Sequence, residues 1–103
     1  MAHNDIRLIL DKAAGRLDQV PKPVFVQPGD TVSWTSDTEE LLVSFASDNN
    51  PFADGALFVG TGGLPTNVGT VRADVSRSTH FECTVTIDGT VFEHWSGVDV
   101  PGT

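Results

Sequence analysis

Cys83 and His94 are the residues of this 103-residue chain whose types and spacing most invite chemistry. If Asp88-Gly89 forms a two-residue hairpin turn, Ile87 faces Thr90, Val85 faces Phe92 and Cys83 faces His94. A thiol beside an imidazole is half of a metal site or an activated nucleophile. The plainer reading makes Cys83 a small buried apolar residue between Phe81, Val85 and Ile87. His80 lies three residues before Cys83 on the same expected strand, so the two point to opposite sides. Glu93 and His94 are adjacent, and neighbouring strand residues also point apart.

Other groupings are weaker. Asp48, Asn49, Asn50 and Asp54 offer oxygen ligands of the kind calcium takes, but their spacing is not that of an EF-hand loop and Pro51 interrupts it. Asn, Asp, Pro and Gly are also the usual turn formers, so a solvated turn is expected. Gly60-Thr61-Gly62-Gly63 lacks the Lys-Ser/Thr of a phosphate loop and reads as a turn. There is no Gly-x-Ser-x-Gly elbow, and Glu39 and Glu40 are expected to be solvated. The sequence assigns no catalytic residue, no cofactor and no metal ligand beyond the Cys83–His94 alternative.

Six basic against fourteen acidic residues give a net charge of −8. A field of that sign repels phosphate backbones and anionic headgroups, so neither nucleic acid nor a membrane is an expected partner. A lone cysteine excludes an internal disulfide and fits a reducing compartment. The apolar run Ile6 to Leu10 is too short for a secretory signal core or a span. These features together suggest a soluble, cytoplasmic protein, forming one domain over 1–103.

Elements that would position these residues are almost all strands. Ile6 to Leu10, Val24 to Val26, Thr31 to Thr35, Leu41 to Phe45, Ala56 to Val59, Thr70 to Val75, Phe81 to Ile87, Thr90 to Trp95 and Val98 to Val100 carry the apolar or β-branched pattern. Gln27-Pro28-Gly29-Asp30 and Asp88-Gly89 are turns. On the third of these strands Val32 and Trp34 share the core face; on the next, Leu41, Val43 and Phe45 do. Residues 46–69, with five glycines and two prolines, form the least regular part. Asp11 to Asp18 is the only helix candidate, and Gly15 weakens it. Seven or eight short strands drawn from these nine segments predict an all-β, antiparallel Greek-key sandwich with at most one short helix.

The order strand, Pro-Gly-Asp turn, tryptophan-bearing strand, polar loop, apolar strand resembles the cupredoxin family, over Ile6 to Val100. In that family a segment like Pro28 to Trp34 leads to a strand beginning His-x-Val-x-Phe. Here the strand reads Leu41-Leu42-Val43-Ser44-Phe45, with Leu41 where the resemblance implies a copper histidine. Phe81 to Val85 resembles the strand delivering the copper cysteine, with Val85 at that place and Cys83 two residues early. A blue-copper site needs a thiolate, two imidazoles and a weak axial thioether. The only methionine is Met1, far from the expected ligand loop. The resemblance implies the fold without its metal.

A scaffold without ligands, bearing a long loop with aromatics, points to a non-catalytic module that binds another protein or copies of itself. The expected surface runs from Asn49 to Leu64, with Phe52, Leu57, Phe58 and an outward Trp95 paired with Glu82 as contact residues. The aromatics would otherwise close one end of the sandwich. Two alternatives are a metal or redox protein using Cys83 and His94, and a small-molecule or carbohydrate binder stacking its ligand on Trp95 and Phe58.

Overall fold

Alternation of apolar and polar side chains decides which residues meet. The computed structural model describes residues 2–102 and contains eight strands: β1 (His3–Asp11), β2 (Arg16–Val20), β3 (Thr31–Ser36), β4 (Glu40–Ser44), β5 (Leu57–Thr61), β6 (Gly69–Thr70), β7 (Thr79–Ile87) and β8 (Thr90–Val100). Ile6 and Leu8 of β1, Val32 and Trp34 of β3, Leu41 and Val43 of β4, and Phe81, Val85 and Ile87 of β7 are buried at every second position. Two four-stranded sheets result, ordered β2-β1-β3-β6 and β5-β4-β7-β8, and they enclose one apolar core. This is the expected all-β sandwich.

Among the described residues no helix forms, and none is long and apolar enough to cross a membrane. Asp11 to Asp18 is the bend between β1 and β2, not the helix its composition allowed. There Asp11 Oδ1 accepts the Ala14 N–H at 3.1 Å, and Gly15 sits at φ 65°. A left-handed glycine and a side-chain-to-backbone bond favour a turn over a helix. A second departure is the β1–β3 pair, which is parallel, with Ile6 beside Trp34; the other pairings between strands are antiparallel, while the isolated Phe25–Asp99 bridge is parallel too. A parallel pair needs a crossover, here supplied by β2 and residues 21–30.

Four expected strands change shape. Val24 to Val26 makes only a bridge to Asp99, with Val24 and Val26 buried and Phe25 outside. Thr70 to Val75 is reduced to Gly69–Thr70, after which Val71 bridges Phe52. Thr90 to Trp95 and Val98 to Val100 are one strand, interrupted by two register shifts.

Irregular residues 46–69 pack onto the aromatic end of this same core. Ala53 donates to the Thr70 carbonyl and Arg72 to that of Pro51, both at 2.9 Å. Beneath them Trp34, Phe45, Phe52 and Phe58 interlock, with centroids 4.9 Å apart for Trp34–Phe58 and 5.1 Å for Phe52–Phe58. A Cβ on Gly69 would lie 2.7 Å from the Phe58 ring, so glycine is what lets β6 approach it. The turn into β3 is held by the buried carboxylate of Asp30, which accepts the N–H groups of Gln27 and Ala2, each at 2.9 Å.

Candidate partner-binding surface

The Asp88-Gly89 turn forms, with φ 47° and 81°, and pairs Ile87 with Thr90 and Val85 with Phe92. Beyond that point the expected register fails. One extra residue is accommodated opposite Thr84, where His94 takes φ 56°, and Trp95 rather than His94 comes to face Cys83. A β-bulge shifts every later side chain by one place, which the alternation of the sequence does not reveal. Trp95 therefore lies on the core side, not outside beside Glu82. It packs edge-on against Phe92, its Nε1–H donates to Gln19 Oε1 at 2.8 Å, and Lys22 covers its ring.

Cys83 is buried, and desolvation, helped by the Glu82 charge, pushes its thiol up to about 12. It is a neutral thiol at physiological pH, the reverse of an activated nucleophile. His94 is exposed, 4.0 Å from Glu82. Among the described residues no three His, Cys, Asp or Glu side chains gather as a metal site requires. Leu41 and Ile87 face each other across β4 and β7, both buried, so hydrocarbon fills the place of the implied copper histidine. Met1 lies outside the described residues. In the 48–54 loop, Asn50 bonds Phe52 N–H and the Gly55 carbonyl, and Asp54 accepts the Thr70 N–H at 2.6 Å and its hydroxyl at 3.1 Å. Those oxygens are engaged in turns.

On the outer face of the first sheet, Ser33, His3 and Asp5 come together. Ser33 donates to Asp5 Oδ1 at 3.3 Å, and a carboxylate can only accept. The His3 Nε2 contact with Ser33, 3.2 Å, is then an N–H donation, and Nδ1 lies 2.7 Å from the Thr31 hydroxyl. Proton donation thus runs from histidine to serine, opposite to what nucleophilic catalysis needs, and Ser33 is buried.

The outer face of the second sheet is different. Register places Val59, Leu42, Thr86 and Val91 in one row across β5, β4, β7 and β8, with Leu57, Ser44 and Thr84 in the next. Leu57 is 55 % exposed, Val59 45 % and Val91 55 %, and Leu64 and Val68 stand out from the segment after β5. A shallow hollow of about 200 Å³ continues the second row at Ser44 and Thr84, bounded by Asn49, Glu82 and His94. The edge beside it is closed. Asn67 accepts the Val59 N–H at 2.9 Å and donates to the Leu57 carbonyl at 3.4 Å, and the Leu64 N–H caps Thr61. A free strand cannot be added there without displacing this cover.

Of the four contact residues expected from sequence, Leu57 is on this face. Phe52 and Phe58 are 3 % and 1 % exposed and belong to the aromatic core; Trp95 is half-buried on the other side of the sheet. The aromatics close the end of the sandwich, and stacking a sugar on Phe58 is sterically excluded. Leu42, Val68 and Val91 lie outside the expected surface from Asn49 to Leu64, and Val59 and Leu64 lie within it without being among its expected contacts. Their signal was Leu57-Phe58-Val59, where one of two apolar faces must point to water. No family model matches the chain, and no curated protein matches it.

Proposed function

We propose that the chain is a non-catalytic, copper-free domain of cupredoxin-like, Greek-key type that works by binding another protein or a copy of itself. The observation that carries this is the outer face of the second sheet, whose central rows are apolar or hydroxylated and carry no charge apart from Glu93 at one margin. In a chain of net charge −8, central rows so poor in charge are out of keeping with solubility alone. The turn at Pro28 to Asp30 and the Trp34 strand support the family reading, and Leu41 against Ile87 supports its copper-free form.

Light scattering and affinity capture on the full chain, beside a Leu57→Glu/Val59→Glu variant, test the proposal. A self-associated or captured species lost in the variant is the expected result. A monomer with the same capture profile before and after substitution would overturn it. Titration with Cu(II) should give no saturable visible band; a stoichiometric one would overturn the copper-free reading.

A further inference from the structure

We propose that the outer face of the second sheet receives a cationic amphipathic segment of another protein, an apolar stripe flanked by Lys or Arg, and not a second copy of this chain. The inference rests on the binding role proposed above and specifies the partner. Its first support is the distribution of charge. All six basic residues lie outside the second sheet: Arg7, Lys12, Arg16, Lys22, Arg72 and Arg77. β4, β5, β7 and β8 contain no Lys or Arg, yet contribute Glu40, Glu82, Glu93 and Asp99.

Those acids frame the apolar rows. Glu40 stands at one end of β4, where it also accepts the Gly89 N–H at 3.1 Å; at the other end Glu82 lies beyond Thr84, 4.0 Å from His94, and Glu93 lies level with Thr84. Lys12 reaches the near end only to pair with Asp88, at 3.1 Å. A symmetric dimer through this face would set one acidic margin against its own copy, because an isologous contact repeats the same patch on both sides. A partner with basic flanks meets complementary charge at both ends.

The closed β5 edge supplies the second support. With Asn67 and Leu64 occupying its outward groups, the face and not the edge is what remains for docking. Four strands spaced about 4.8 Å apart make a platform on which one helix, about 10 Å across, can lie.

The test is an NMR titration of the full chain with a synthetic helix of about 18 residues, roughly 27 Å long, carrying a leucine stripe flanked by lysines. A glutamate-flanked analogue serves as comparison. The lysine peptide should shift the amides of Leu42, Leu57, Val59, Thr86 and Val91, and bind about tenfold more weakly to Leu57→Ser/Val59→Ser. Glu82→Gln/Glu93→Gln should weaken it at ionic strength of about 0.01 M and much less near 1 M, where charges are screened. Ile9→Ser, on the first sheet, should bind unchanged. Equal binding of the glutamate peptide, shifts confined to another surface, or no binding would overturn the inference. If instead the chain self-associates and Leu57→Ser abolishes it, the binding role stands and the cationic partner falls.

Discussion

On the first sheet the outward side chains of β1 and β3 include His3, Asp5, Arg7, Thr31, Ser33 and Thr35, most of which hydrogen-bond to one another, with exposed Ile9 as the apolar exception. Thr31, His3, Ser33 and Asp5 form a continuous chain, Thr35 also donates to Asp5, and Arg7 pairs with Asp37. On the second sheet the same outward positions hold Leu42, Val59, Thr86 and Val91, with only hydroxyls among them able to hydrogen-bond. Both faces sit on the same pleat above the same core. The first satisfies its own polar groups and exposes Ile9 and Val20 between them, whereas the second sets Leu57, Val59 and Val91 in adjoining rows, where each buried Å² is worth about 25 cal/mol to whatever covers it. The proposed binding role falls to the face whose side chains have fewer internal partners.

Neighbouring residues of β5 separate the two roles most sharply. Phe58 points into the aromatic core and Leu57 away from it. Phe58→Ala should cost about 3–5 kcal/mol by emptying a filled site, measured by urea denaturation. Leu57→Ser should change stability by no more than about 0.5 kcal/mol while removing partner binding. Equal destabilisation by both would mean that Leu57 is a packing residue and that the contrast between faces is misplaced.

This pair also shows what the sequence conveys and what it conceals. Val32, Trp34, Leu41 and Val43 alternate with polar or less buried neighbours, so their core face is legible. Pro28 to Asp30 and Asp88-Gly89 are legible because turn chemistry is local. Leu57-Phe58-Val59 is apolar throughout, and a period of two cannot say which side is the core when both are hydrophobic. Tertiary packing decides it, through Gly69 lying against the Phe58 ring. The bulge at His94 is hidden for another reason: a positive φ at a residue other than glycine leaves no compositional mark. That single residue removed the Cys83–His94 pair and turned Trp95 inward.

Cys83 offers a second probe of the covered side of β7. Burial, and then the Glu82 charge, push its thiol from 9.0 up to about 12 in the folded chain. The unfolded chain releases that proton first, so this contribution is complete below pH 9 and is lost as pH rises towards 12. The chain has no tyrosine to titrate in the same range. Wild type should lose a few kcal/mol, on the order of 1.4 per pH unit, that Cys83→Ala does not lose between these pH values. Native protein should resist thiol labelling near neutral pH. Parallel alkaline unfolding curves, or prompt labelling, would place Cys83 on the accessible side.

Asn67 tests whether the second sheet is reserved for docking by its face. Replacing it with alanine removes both side-chain bonds to the β5 edge, each worth about 1 kcal/mol or less, and bares the Val59 N–H and Leu57 carbonyl. A small loss of stability should accompany a gain in concentration-dependent association, seen by light scattering, as the edge becomes free to pair. Asn67→Asp keeps the acceptor for Val59 and should associate less than the alanine variant. Association that stays at the wild-type level in both variants would show that the 62–68 segment closes the edge without this side chain.

The smallest effect is expected where the charge of the two sheets meets. Lys12, on the β1–β2 hairpin, reaches Asp88 at the β7–β8 turn, and the Glu40 N–H bonds the same carboxylate at 3.1 Å. The Lys12 hydrogen bond first, and then the backbone bond, hold the Asp88 carboxyl below its usual range. Its contribution is present above the unfolded carboxyl's pKa and is lost as pH falls through the lower, folded value. Lys12→Met should move Asp88 back towards an ordinary carboxylate without restoring it fully, since the Glu40 N–H stays in place. A pH titration of the Asp88 side-chain carbon by NMR reads this directly. An unmoved Asp88 would mean that the backbone alone holds it, and that no cation of the first sheet offsets the acidic margin of the second.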